Sequence, residues 1–165
     1  MAYLPNQDTP YTGYVVDYFV RSKRVTLVGK MKDVVDDLFR SKRIIQEGKM
    51  KDGLKSEWWT TYQGHDQKDS MSYYEDGKKQ GFCYTYHKNG RVKSKEYYWD
   101  GKRSGSWTGF HEDGTRAWER HYKDDKMHGA FETWSLDGRK RSRYVYENDV
   151  LISEVTFGRD HYFPE

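Results

Sequence analysis

Shifted by 24 residues, the second half of this chain lies over itself, and that register restricts the fold more than any other property of the sequence. Glycine opens three successive units, at Gly81, Gly105 and Gly129, and Glu57 holds the same slot one unit earlier. Two residues on come Trp59, Cys83, Trp107 and Phe131; five on, Tyr62, Tyr86, Phe110 and Trp134; nine on, Asp66, Gly90, Gly114 and Gly138. Seventeen on, every unit has tyrosine, as Tyr74, Tyr98, Tyr122 and Tyr146; twenty on come Gly77, Gly101, Asp125 and Asp149. Residues 57–80, 81–104, 105–128 and 129–152 are therefore four units of equal length. Such a period marks an array in which each unit buries its neighbour's face.

Local chemistry predicts what each unit is. "HKNG" at 87–90, "HEDG" at 111–114 and "SLDG" at 135–138 read as hairpin turns, with Gly90, Gly114 and Gly138 supplying positive φ. The flanking segments, such as 82–87 and 92–98, are rich in Tyr, Phe, Trp, Thr and Val, which suit strands. A second, looser turn at "WDGKRSG", 99–105, contains Gly101, as Gly77 lies in the unit before. The expectation is all-β: an elongated, twisted antiparallel sheet of consecutive hairpins. The +2, +5 and +17 residues together form the predicted core. A +2 to +5 spacing breaks strict strand alternation, so it calls for a bulge, or for one aromatic at the start of the turn.

The first third is less regular. "RSKRVTLVGKMKD" at 21–33 recurs as "RSKRIIQEGKMKD" at 40–52, and the 44 residues from Gly13 to Glu57 fit one full unit plus one shortened by four. About six units result, a single repeat domain over 11–152 with an extension at 1–10 and a tail at 153–165. The segment 33–39, "DVVDDLF", has room for one helical turn.

Composition bears on function. Hydrophobic residues make up 35% and charged residues 33%, which alone suits disorder, but 17% aromatic content supplies the missing burial. The formal net charge of +3 is mild and its charges are interspersed, so no basic tail for nucleic acid is present. A single cysteine, Cys83, rules out an intrachain disulfide framework and reads as a small core residue. Met1 to Pro10 lacks the apolar stretch of a signal peptide, so a cytoplasmic location is expected.

The pattern G-x-W-x-x-Y-x-x-x-G followed by Y-x-x-G-K-x-x-G resembles the MORN-like repeats of the YwqK-type bacterial antitoxin family. "EDGKKQGFCYTYHKNG", 75–90, carries the match best, and "PYTGYVVDYF", 10–19, looks like a first repeat; the resemblance covers roughly 11 to 155. It implies stacked hairpins and a protein-interaction or scaffold role, with membrane-lipid contact proposed for some members. The chain departs from the pattern where Glu57 replaces an opening glycine, where Asp125 and Asp149 replace a turn glycine, and where the early units lack the opening tryptophan.

Chemistry-bearing residues are few in pattern. His87 and His111 share a slot before a turn, but Gln63 and Ser135 hold it in the flanking units, so no third metal ligand keeps the register. Ser70, Ser94 and Ser142 repeat as strand-surface residues, and Asp76, Asp100 and Asp124 as turn residues, so a hydrolase is the weakest reading. No cofactor and no metal is expected. Lys93, Lys95, Arg116, Arg120, Arg141 and Arg143 on second strands suggest single-stranded nucleic acid, but Glu96 and Glu119 dilute that face. An anionic membrane surface is a further alternative. The leading expectation is a non-enzymatic module that binds another protein through Trp58, Tyr73, Tyr84, Tyr97, Trp118 and Tyr144, the aromatics outside the core slots.

Overall fold

The computed structural model describes residues 10–20, 23–28, 43–63 and 67–158. All of its regular structure is antiparallel β-sheet. The strands are β1 (Gly13–Val20), β2 (Lys23–Val28), β3 (Arg43–Lys51), β4 (Leu54–Gln63), β5 (Gln67–Glu75), β6 (Lys78–Tyr86) and β7 (Val92–Trp99). After the two-residue β8 (Lys102–Arg103) come β9 (Gly105–Phe110), β10 (Arg116–Lys123), β11 (Lys126–Trp134), β12 (Lys140–Glu147) and β13 (Val150–Thr156). From β3 to β13 each strand pairs with its chain neighbour, except that β9 lies beside β7 while β8 pairs separately with β7. The sheet is open, with β13 and β2 at its edges. Strand pairing continues across residue 152, because β13 pairs with β12 from Glu147↔Val150 to Ser142↔Thr156.

The irregular start has its own arrangement. β1 pairs with β2 on one side and with β3 on the other, so β3 does not follow β2 in the sheet. The two copies of the duplicated segment therefore flank one strand. Phe19 faces Arg24 in one copy and its equivalent Arg43 in the other, and Tyr18 faces Val25 and Ile44 in the same way. The candidate helical turn at 33–39 lies outside the described residues, as do Asp66, His65 and His161.

The two kinds of turn are the reverse of the sequence expectation. The tight turns are the Asp-Gly sites: Asp52 and Gly53, Asp76 and Gly77, and Asp100 and Gly101 all have positive φ, as a two-residue type I′ hairpin requires. Asp124-Asp125 and Asn148-Asp149 do the same without glycine. In "HKNG", by contrast, only Gly90 has positive φ (81°), and His87 N–H donates to Arg91 at 2.8 Å, so this is a longer loop. Asn89 Oδ1 accepts the Arg91 N–H, and Asp113 and Asp137 accept those of Thr115 and Arg139, each side chain bracing its own loop.

Successive tight turns are stapled together. The second turn residue donates its N–H to the preceding unit: Gly77 to Lys55, Gly101 to Lys79, Asp125 to Arg103 and Asp149 to Met127, all at 2.9–3.0 Å. The departures from glycine have a reason here. The carboxylates of Asp125 and Asp149 accept the backbone N–H groups of Arg103 and Met127 at 2.8 Å, a second staple that offsets the left-handed backbone.

Each unit contains two bulges. One falls at the opening slot, where Gly81, Gly105 and Gly129 have φ of 73°, 63° and 102° and Glu57 is forced to 58°. The other lies near the end of the first strand, where the register shifts between Thr61 and Tyr62, Thr85 and Tyr86, and Thr133 and Trp134. The extra residue of this second bulge is on the second strand, Asp69, Lys93 or Arg141, so the first strand keeps strict alternation. The +2 and +5 residues, three apart, therefore lie on opposite faces, which corrects the expectation of one shared core.

The front face carries the +2 and +17 slots. Trp107 packs between Tyr98 (centroids 5.1 Å apart) and Tyr122 (5.0 Å). Trp59 is 3% exposed and lies over Gly48, where an added Cβ would meet its ring at 2.5 Å. Both indoles donate to the strand before, Trp59 to Lys49 at 2.7 Å and Trp107 to Tyr97 at 2.9 Å. Basic side chains cap the tyrosines: Lys55 over Tyr74, Lys79 over Tyr98 and Arg103 over Tyr122. The repeated serines are part of this packing and not a solvated surface. Ser94 and Ser142 are buried, and cross-strand hydroxyl pairs join Thr61–Ser70 and Thr85–Ser94 at 2.7 Å and Thr133–Ser142 at 2.6 Å.

Candidate interaction face

The back face begins with Trp58 and Phe82, one residue before the front-face Trp59 and Cys83, and strand alternation alone puts them there. Trp58 meets Tyr73 edge-on at 5.5 Å and Tyr84 at 6.4 Å; Phe82 meets Tyr97 edge-on at 5.2 Å. Lys95 lies over Phe82 at 4.1 Å. Met71, opposite Tyr84, accepts from the Tyr86 hydroxyl at 3.3 Å, which places that +5 residue on this face too. Trp58 and Phe82 remain 43% exposed and Trp99, beside the Asp100-Gly101 turn, 60%. Strands β4 to β7 thus display a continuous aromatic surface on which, among the described residues, only Phe82 is covered by a basic side chain.

Across β9 to β12 the same face is ionic. Glu119 and Glu132 stand directly opposite one another and are neutralised from the sides. Arg116 reaches Glu119 at 3.0 Å, while Lys140 at 2.7 Å and Arg143 at 3.6 Å reach Glu132. Arg116 and Lys140 also cover Trp134, a +5 aromatic on the back face. The basic residues of the second strands therefore form no common stripe: Arg116 and Arg143 are tied to glutamates here, and Arg120 points to the front.

Of the candidate interface residues, Trp58, Tyr73, Tyr84 and Tyr97 come together on the back face. Trp118 and Tyr144 lie on the front. Tyr144 stacks on Phe131 at 5.5 Å, and Trp118 lies flat on Gly109, where an added Cβ would sit 2.1 Å from the indole. The expectation of a single surface holding both Tyr97 and Trp118 is thereby corrected. Of the core residues, Tyr62, Tyr86 and Trp134 make their contacts on the back: Tyr62 donates to Glu47 at 2.5 Å, whose register partner is Thr60.

The histidines of the loop edge act as staples between units. His87 Nε2 bonds the Phe110 carbonyl at 2.8 Å and His111 Nε2 the Trp134 carbonyl at 3.2 Å. Among the described residues no three His, Cys, Asp or Glu side chains gather as a metal site would require. Burial shapes the front-face phenols. Desolvation raises the pKa of Tyr98, helped by the Glu96 carboxylate to which its hydroxyl donates at 3.3 Å, and desolvation likewise raises that of Tyr74.

Sequence reasoning missed a buried polar cluster at the start of the sheet. Asp17, 1% exposed, accepts from Thr26 at 2.5 Å and Gln46 at 2.6 Å, and Gln46 in turn accepts from Lys55 at 3.3 Å. No spacing links these residues, because β1, β2, β3 and β4 meet only through the unusual strand order. No protein-family model and no curated protein matches the chain.

Proposed function

We propose that this protein is a non-enzymatic protein-binding repeat module that engages its partner through the back face of strands β4 to β7. The exposed aromatic cluster of Trp58, Tyr73, Phe82, Tyr84 and Tyr97 carries this reading. Monomeric proteins seldom expose contiguous apolar surface without a use for it, and Tyr and Trp are the side chains that anchor protein interfaces. The resemblance to MORN-like repeats points the same way and adds a partner class, a toxin neutralised in an antitoxin- or immunity-like complex. Among the described residues no helix is long and apolar enough to cross a membrane.

The test is a pull-down from native cytosol at low salt and at roughly 0.5 M salt, with and without nuclease, since phosphate contacts weaken steeply with salt. A protein retained at high salt, and lost from the Trp58→Ala/Tyr97→Ala double variant but not from Glu132→Gln, is the expected result. Nucleic acid alone, removed by salt, would overturn it in favour of a stacking platform for single strands. Binding only to vesicles containing anionic lipid would overturn it in favour of a membrane surface.

A further inference from the structure

Along the middle of the front face, one pairing shared by three of the regular units is broken in the other. Where those units pair threonine with serine, the third unit pairs Gly109 with Trp118, and two residues on, in a slot that differs in every unit (Ser72, Glu96, Arg120 and Tyr144), it carries an arginine. Gly109, Trp118 and Arg120 meet at a single spot. Trp118 lies down in the space that Gly109 leaves. The Arg120 guanidinium lies over two rings, 4.7 Å from the centre of Trp118 and 4.5 Å from that of Phe131.

This arginine is unlike the others near it. Arg103 is held by Asp125, Arg116 by Glu119 and Arg143 by Glu132. Arg120 has neither an ion pair nor a hydrogen bond among the described residues. Its Nε is buried with no partner, while the residue as a whole is only partly buried. The one acid in its column, Glu96, is already engaged by Ser94 at 2.8 Å and by Tyr98. A guanidinium is a rigid fork of donors, and leaving it half-buried without an acceptor is costly unless something supplies one.

We infer that Arg120 is a recognition site for a single carboxylate, gripped end-on by the two Nη groups and aligned by Trp118 and Phe131. Contact with two rings restricts the motion of the fork, which favours bidentate binding of a planar carboxylate. The partly desolvated setting strengthens the pair relative to open water. A phosphate fits less well: it brings up to two charges and extra acceptor oxygens, and the neighbouring cation Arg103 is committed to Asp125. The site lies on the opposite face from the aromatic cluster of β4 to β7, so it stands or falls independently of the protein-binding reading. The carboxylate is that of an acidic side chain or of a chain terminus, which share this chemistry.

The experiment is an NMR titration of the full chain, following the Arg120 Nε–H and the Trp118 indole N–H. Four probes are used: acetyl-Gly-Glu-Gly-amide, its glutamine counterpart, acetyl-Gly-Gly with a free carboxylate, and inorganic phosphate. Saturable shifts are expected with the glutamate peptide or the free terminus, and whichever binds more tightly identifies the source. Equal shifts with the glutamine peptide, or tighter binding of phosphate, would overturn the inference. Arg120→Gln should abolish the shift at Trp118. Arg120→Lys, which keeps the charge without the fork, should weaken binding about tenfold or more, and unchanged affinity in either folded variant refutes the site. A readout on the unaltered protein stands beside these: binding of the glutamate peptide should fade as pH falls through about 4.3, where its carboxylate protonates, and persistence below that pH is equally fatal.

Discussion

The back faces of β4–β7 and of β9–β12 share one ladder, one pair of bulges per unit and one turn pattern, yet they carry opposite chemistry. The first displays Trp58, Tyr73, Phe82, Tyr84 and Tyr97; in the corresponding slots the second has Ser106, His121, Ala130, Glu132 and Val145. The front faces of the same two regions agree far better, with Trp59, Cys83, Trp107 and Phe131 each beside its tyrosine. A repeat conserves what neighbours need from one another, namely the front-face packing, the Asp-Gly staples and the bulge glycines. It leaves free what faces outward. The free face is therefore where function has room to differ between units, and the ion-paired half shows what an outward face looks like when its charges satisfy one another.

The largest expected effect separates two adjacent tryptophans. Trp59→Ala removes a buried ring with its hydrogen bond to Lys49 and should cost about 3–5 kcal/mol. Trp58→Ala, one residue away on the open face, should cost about 1 kcal/mol, the worth of its edge-on contact with Tyr73. Denaturant midpoints decide this; equal losses would mean the back face is a second core and not a free surface.

Next comes the break in the front-face pattern. Gly109→Thr places a Cβ into the Trp118 ring and should destabilise by about 1–3 kcal/mol, as overpacking does. Adding Trp118→Ser, which recreates the Thr–Ser pair of the other units, should recover most of that loss. Additive losses in the double variant would show that the third unit is not interchangeable with its neighbours. Sequence alone suggested that Trp118→Ala would be mild, on the assumption that it faced outward with Tyr97.

A smaller gain is expected at Glu57. Replacing it with glycine relieves a left-handed backbone in the only regular unit that lacks the opening glycine, for a stabilisation of about 1 kcal/mol. The Lys49 pair that is lost, at 2.8 Å, is solvent-exposed and offsets little. Thermal unfolding of Glu57→Gly measures the balance, and a lower midpoint would contradict it.

The smallest effect concerns the long loops. Hydrogen bonds from Thr115 hold the Asp113 carboxyl below the ordinary aspartate range, and those from Ser135 and Arg139 do the same for Asp137. The folded state therefore favours the ionised form. Its stabilisation is present above about pH 4 and lost as pH falls through the lowered values. The stability difference between the protein and its Asp113→Asn variant should shrink on acidification across that window; a difference independent of pH would remove the carboxylate from the account.

Much of the fold was legible because a 24-residue period, Asp-Gly pairs and aromatic strands each point to hairpins without reference to the rest of the molecule. The candidate interface was legible only in part. Trp58, Tyr73, Tyr84 and Tyr97 were recognisable as aromatics outside the repeated slots, but Trp118 and Tyr144 met the same criterion and face the other way. Arg120 gave no signal beyond being one basic residue among several, since its distinction is that no acid or other hydrogen-bond acceptor among the described residues pairs with its side chain.

The sequence by itself determined the unit, its length, the strands and the pairing of the +2 and +17 residues. These depend on backbone dihedral preference and on contacts between equivalent slots, both of which a repeat records directly. Only the tertiary structure decided which turn is the two-residue one, that the +5 aromatics face backward, and that β3 joins β1 instead of β2. Side chains alternate with period two, so a single extra residue reverses a face, and spacing counts residues without showing where the ladder absorbs the surplus.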